Sequence, residues 1–163
     1  MNMQRISFRC AILALAFAGL VAACDKDDDN TAPDYIVFGT FFGECIGEGC
    51  IEIYRLTATN VSEDTTDQYP NSLTPLTGDW VQLPQEKFDA VKDIIGPIPE
   101  ALLIEMVTVI GQPDAGDWGG AYLEWKEGDI HRFWLLDLNR NNLPEQYDAL
   151  VTQIEAAVTI IQE

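Results

Sequence analysis

Two thiols, Cys45 and Cys50, enclose Ile46-Gly47-Glu48-Gly49, and that spacing limits the sulfur chemistry open to them. Joined to each other, they would close a short loop. A redox-active pair more typically encloses two residues, and haem attachment needs a histidine directly after the second cysteine, where Ile51 stands. Zinc would need two further soft ligands, and the chain offers His131 as its sole histidine. A disulfide is the expectation for this pair.

Oxygen donors recur at alternate positions in Asp137-Leu138-Asn139-Arg140-Asn141, with Glu145 and Asp148 following, and such spacing could wrap a hard cation. The segment resembles a calcium loop of the EF-hand type, with Asp137, Asn139, Asn141, Glu145 and Asp148 at the ligand positions. It departs from that pattern at three places: Asn142 replaces the glycine, Pro144 an apolar residue, and Asp148 a longer bidentate glutamate. A strand-to-helix turn accounts for the same residues, because asparagine tolerates left-handed backbone and Glu145 complements a helix N-terminus. The turn is the expectation, and calcium is the alternative; no other cofactor is implied.

Catalytic patterns are sparse. A hydrolase would need His131 as general base with a nucleophile and an orienting carboxylate, and no Gly-x-Ser-x-Gly setting occurs. Carboxylate pairs carry no signal in a chain with 27 acidic residues. Glycine-rich phosphate loops and basic aromatic stripes are missing from the sequence. The most distinctive loop is Gly111 to Gly120, in which Asp114, Asp117 and Trp118 are the candidate contact residues. Trp118 serves as a contact if exposed and as a plug if buried.

The N-terminus supplies an address. Arg5 and Arg9 precede an apolar run over residues 11 to 22, too short for the roughly 20 residues that span a bilayer. Val21-Ala22-Ala23-Cys24 resembles the bacterial lipobox, which implies cleavage of residues 1–23 and lipidation of Cys24. An acyl chain contributes about 0.8 kcal/mol per buried CH₂, so a lipoprotein's two or three chains would hold it on a membrane. Cys24-Asp25-Lys26-Asp27-Asp28-Asp29 is similar to the export signal of Bacteroidota-type surface lipoproteins. That resemblance implies the outer face of the outer membrane. Aspartate directly after the cysteine has an inner-membrane retention role in proteobacteria, which leaves the periplasmic face as the alternative. Residues 24–33 also read as an acidic, disordered tether.

Loss of Arg5 and Arg9 would reduce nine basic residues to seven against 27 acidic ones, a formal charge of −20. Such a field repels nucleic acid and anionic headgroups, so the expected partners are the membrane, through the lipid anchor, and an extracellular protein or ligand.

One domain over residues 34–163 must position these groups. Tyr35 to Phe42 and Cys50 to Thr57 read as strands of a hairpin with the cysteines near its closed end. Residues 58–79 read as an exposed excursion with a short strand near Val61. Leu83-Pro84 opens a helix whose Phe88, Val91, Ile94 and Ile95 share a face, and Gly96-Pro97 stops it. Leu103 to Ile110 is strand-like, with residues 100–106 helical as the alternative. Ala121 to Lys126 alternates as a half-buried strand, and Ile130 to Leu138 pairs with it across Glu127-Gly128-Asp129. Leu143-Pro144 opens a last helix with Tyr147, Leu150, Ile154, Val158 and Ile161 on one stripe.

The expected class is α+β: an antiparallel sheet with two amphipathic helices on one face. Gly49 to Ile53 parallels Ala121 to Trp125, and Leu83-Pro84 parallels Leu143-Pro144, which suggests two strand-strand-helix repeats. Residues 111–120 and the following strand resemble a segment of small Bacteroidota lipoproteins in which Cys-Pro-Asp-Cys precedes Gly-Gly, a strand and a Leu-Pro helix. Gln112 and Ala115 occupy those cysteine positions here, and the resemblance implies a fold but no activity. The functional expectation is a cell-surface lipoprotein acting as a non-enzymatic binding or protein-interaction module. A secreted hydrolase or inhibitor-like factor and a structural calcium protein are the alternatives.

Overall fold

The computed structural model describes residues 33–163. The signal segment 1–23, Cys24 and residues 24–32 of the tether lie outside the described residues. Alternation of apolar side chains makes the strands: β1 is Tyr35–Phe41, β2 Ile51–Leu56, β3 Val61–Asp64, β4 Trp80–Gln82, β5 Val109–Ile110, β6 Gly120–Glu127 and β7 Ile130–Asp137. They form one sheet in the order β4-β3-β2-β1-β6-β7-β5. Every pairing is antiparallel except β5 with β7.

Helices cover one face. Pro84, outside the first turn, leads into α1, Gln85–Val91, and Pro99 leads into the single turn α2, Glu100–Leu103. The long helix α3, Asp148–Gln162, follows a 3₁₀ turn at Glu145–Tyr147. Its stripe of Leu150, Ile154, Val158 and Ile161 packs with Phe88 and Val91 of α1 against Phe38, Tyr54, Leu123, Trp134 and Leu136 of the sheet. The class is therefore α+β, with α1 and α3 on the same face.

The opposite face carries a second, smaller apolar cluster of Val37, Phe41, Ile53, Tyr122 and Leu135. No helix covers it; residues 65–79 cross it as a strap, with Leu76 and Trp80 packed against that cluster. Asp64 holds the strap's roots, because its carboxylate accepts the Thr66 and Asp79 amides at 3.1 and 2.9 Å. Most of residues 65–79 are exposed, as expected of this excursion, and the short strand expected near Val61 is β3; within the strap Pro70 is buried and Leu76 half-buried.

Three expectations are corrected, each for a physical reason. Strand β6 is buried on both faces over residues 120–124, not half-buried, because the strap covers Tyr122 and the polar Glu124 finds partners on the covered side. Of the 103–110 strand only the two-residue β5 forms, while the helical alternative for 100–106 holds over Glu100–Leu103, where Pro99 starts the turn α2. Ile51 and Ile53 face the strap, whereas Leu123 and Trp125 face the helices. The matched segments thus point opposite ways, and their likeness is one of pattern, not of equivalent position.

Candidate functional site

Asp114 organises one end of the sheet. Its Oδ2 accepts the Gly43 amide at 2.8 Å and the Tyr69 hydroxyl at 2.7 Å, and its Oδ1 accepts the Gly119 amide at 3.2 Å. One carboxylate thereby joins the loop 42–50, the strap 65–79 and the loop 111–119. Burial, followed by the hydrogen bond to Asp114, raises the Tyr69 pKa, so the phenol stays a donor at neutral pH.

Each loop has its own stiffener. Cys45 and Cys50 form the expected disulfide, with Cα atoms 5.5 Å apart. Asn71 Oδ1 accepts the Leu73 and Thr74 amides at 2.9 and 3.0 Å, fixing a turn in the strap. Gly119 and Gly120 leave room for two rings: a Cβ at Gly119 would lie 2.2 Å from the Phe42 ring, and one at Gly120 would lie 2.1 Å from the Phe41 ring. Gly119 also has φ +77°, which an L side chain resists. Asp67, Asp114 and Asp117 are the non-glycine residues with positive φ among those described, and all three lie in these loops. Left-handed backbone in ordinary residues concentrates where surrounding structure holds a working conformation.

Against this rigid base, three apolar side chains project. Ile46 is 102% exposed, Leu73 87% and Trp118 61%, one from each loop. Between strap and 111–119 loop lies a cleft of about 660 Å³. Phe41 and Leu135 contribute to its lining with Tyr69, Pro70, Gln112 and Pro113, and every residue lining it is uncharged. The three loops are not: Glu44, Asp67 and Asp117 are exposed on them and give this end an acidic rim, and the loops contain no lysine or arginine.

Of the expected contact residues, Trp118 and Asp117 are exposed at the loop surface, whereas Asp114 spends its oxygens on the chain itself. Of the oxygen donors in the calcium-loop resemblance, those of Asp137, Asn139 and Asp148 are likewise engaged within the chain. Asp137 is fully buried and accepts the Gln112 and Asn139 amides at 2.8 and 2.7 Å; Asn139 Oδ1 accepts the Asn141 amide at 3.1 Å. Asp148 pairs with Arg140 Nε at 2.5 Å. Among the described residues, no three His, Cys, Asp or Glu side chains are grouped to hold a metal. The segment folds as a strand-to-helix turn, and Asp137 braces the root of the 111–119 loop.

A second polar cluster, which the sequence reading missed, sits farther along the same face. Glu124, only 3% exposed, accepts Tyr122 Oη at 2.6 Å and Tyr35 Oη at 3.1 Å and contacts His131 Nε2 at 2.7 Å. Burial, then the Glu124 charge, raises the pKa of both tyrosines, so the phenols remain donors. The Arg55 guanidinium lies over the Tyr35 and Trp80 rings at 5.9 and 4.6 Å. The hairpin turn Glu127-Gly128-Asp129 contained the missing signal: it pairs Lys126 with His131 and sets Glu124 diagonally beside the histidine. No protein-family model matches the chain, and neither curated proteins nor solved structures include a match to it.

Proposed function

We propose that the chain is a lipid-anchored cell-surface lipoprotein whose domain is a non-enzymatic binding module, with the end formed by loops 42–50, 65–79 and 111–119 as its contact surface. The observation that carries this reading is the Asp114 carboxylate, which ties together three loops that each present an exposed apolar side chain, two of those loops lining one cleft. Interaction surfaces draw most of their affinity from a few large apolar or aromatic anchors on a preorganised base. The lipobox-like Val21-Ala22-Ala23-Cys24 and the acidic stretch after it support the address. The hydrolase alternative has a base and an orienting carboxylate in His131 and Glu124. It stays second because the hydroxyl nearest that histidine, Tyr35 Oη at 3.5 Å, is a phenol kept neutral by its surroundings.

The test is photo-crosslinking on intact cells producing the full chain, combined with protease shaving. Shaving should remove the domain, and crosslinked partner should fall about fivefold or more in the variant Ile46→Ser/Leu73→Ser/Trp118→Ser, the loss expected when anchors are truncated. Undiminished crosslinking in that variant sinks the loop end as the contact surface, and a domain untouched by shaving sinks surface display.

A further inference from the structure

The charge around the three tips narrows the chemistry of whatever they meet. Loops 42–50, 65–79 and 111–119 hold Glu44, Glu48, Asp67, Asp79, Asp114 and Asp117 and no basic residue. The basic residues of the folded domain, Arg55, Lys87, Lys92, Lys126, Arg132 and Arg140, all lie elsewhere in the sequence. Asp114 is engaged internally, but Glu44, Asp67 and Asp117 are exposed on the three loops it ties together, two of which line an uncharged cleft. An apolar centre inside a single-sign rim selects a partner of the same layout and the opposite sign. Anionic lipid and nucleic acid carry the wrong charge for that rim.

Building on the loop end as the binding surface, we infer that its occupant is a cationic protein segment: an exposed stretch that places apolar side chains in the cleft between Tyr69 and Pro113 and against Ile46, Leu73 and Trp118, while flanking lysine or arginine side chains meet Glu44, Asp67 and Asp117. The rim supplies attraction at a distance and the tips supply the short-range burial. The Asp114 hydrogen bonds and the Cys45–Cys50 bridge hold those loops without help from a ligand. Binding therefore loses little to ordering of the protein.

The probe is a labelled, end-capped peptide of alternating lysine and leucine or phenylalanine, with a glutamate-for-lysine counterpart, titrated against the full-length protein by fluorescence anisotropy. The lysine peptide should bind at least about tenfold more tightly than its counterpart, and should weaken by about tenfold between roughly 50 and 500 mM salt as screening sets in. Glu44→Gln/Asp67→Asn/Asp117→Asn, whose asparagines accept the same left-handed backbone, should flatten that salt dependence. Ile46→Ser/Leu73→Ser/Trp118→Ser should weaken binding yet keep the salt slope. All six positions are exposed, and circular dichroism of each variant checks the fold. Equal binding of the two peptides, or none by either, overturns the inference. Should the glutamate peptide, a neutral oligosaccharide or an anionic vesicle bind in a manner lost with the apolar triple, the cationic class is wrong and the loop end stands. Should the lysine peptide bind and both triples leave it unchanged, the loop end itself is wrong.

Discussion

Asp114 has two consequences for a single substitution. Asp114→Ala removes the acceptor of the Gly43 and Gly119 amides and the Tyr69 hydroxyl while leaving the sheet and helices untouched. Three partly exposed hydrogen bonds at about 1 kcal/mol net each, and an alanine held at φ 62°, should lower the midpoint of unfolding by several degrees. Local opening should respond more, and the Gly43 and Gly119 amides should lose more of their protection from solvent exchange than the β1 and β6 amides do. Uniform loss of protection across the sheet would refute that division. This tie was illegible in the sequence because Gly43 and Tyr69 lie 71 and 45 residues from Asp114. Trp118 and Asp117, singled out from loop composition alone, are exposed, as a contact role requires. The burial of Glu124 was illegible too, since period-two patterning cannot reveal that tyrosines from β1 and β6 will service a buried carboxylate.

Elements with a strong period came through: the β1–β2 hairpin, β6–β7, and the stripes of α1 and α3 all follow spacings of two or of three and four residues. Short ones did not. Strand β4 has three residues and β5 two, and each exists because a long neighbour offers an edge, a reason no local window contains. The disulfide belongs to the hairpin and closes a loop of only a few residues, worth about 2 kcal/mol by loop-closure entropy. Cys45→Ser/Cys50→Ser should therefore unfold cooperatively at a midpoint several degrees lower, with the far-ultraviolet spectrum at room temperature unchanged. Collapse of that spectrum would mean that the bridge holds the sheet as well as the turn.

The whole molecule should fail in base before it fails at neutral pH. Tyr35, Tyr54, Tyr69 and Tyr122 all have raised pKa values, burial being the first cause in each case and a neighbouring carboxylate adding to it. In the unfolded chain these phenols ionise near pH 10. The unfolded state thus sheds protons first, so their contribution is intact below about pH 10 and is lost as pH climbs through the higher values of the fold. Absorbance at 295 nm should show most tyrosine ionisation coinciding with loss of ellipticity well above pH 10. Smooth ionisation centred near pH 10 in a protein that stays folded would contradict it.

Strand β1 is the first element of the described domain in sequence and a central strand of its sheet. Residues 51–56 pair with one of its edges, but the other edge waits for residues 120–126. A chain that emerges N-terminus first therefore carries Tyr35–Phe41 with an open hydrogen-bonding edge until β6 arrives. Closure over so long a separation is slow, and an unpaired apolar edge is a site for pairing with other chains. The acidic residues that give the finished surface its sign are present throughout that interval, and their mutual repulsion keeps half-made copies apart.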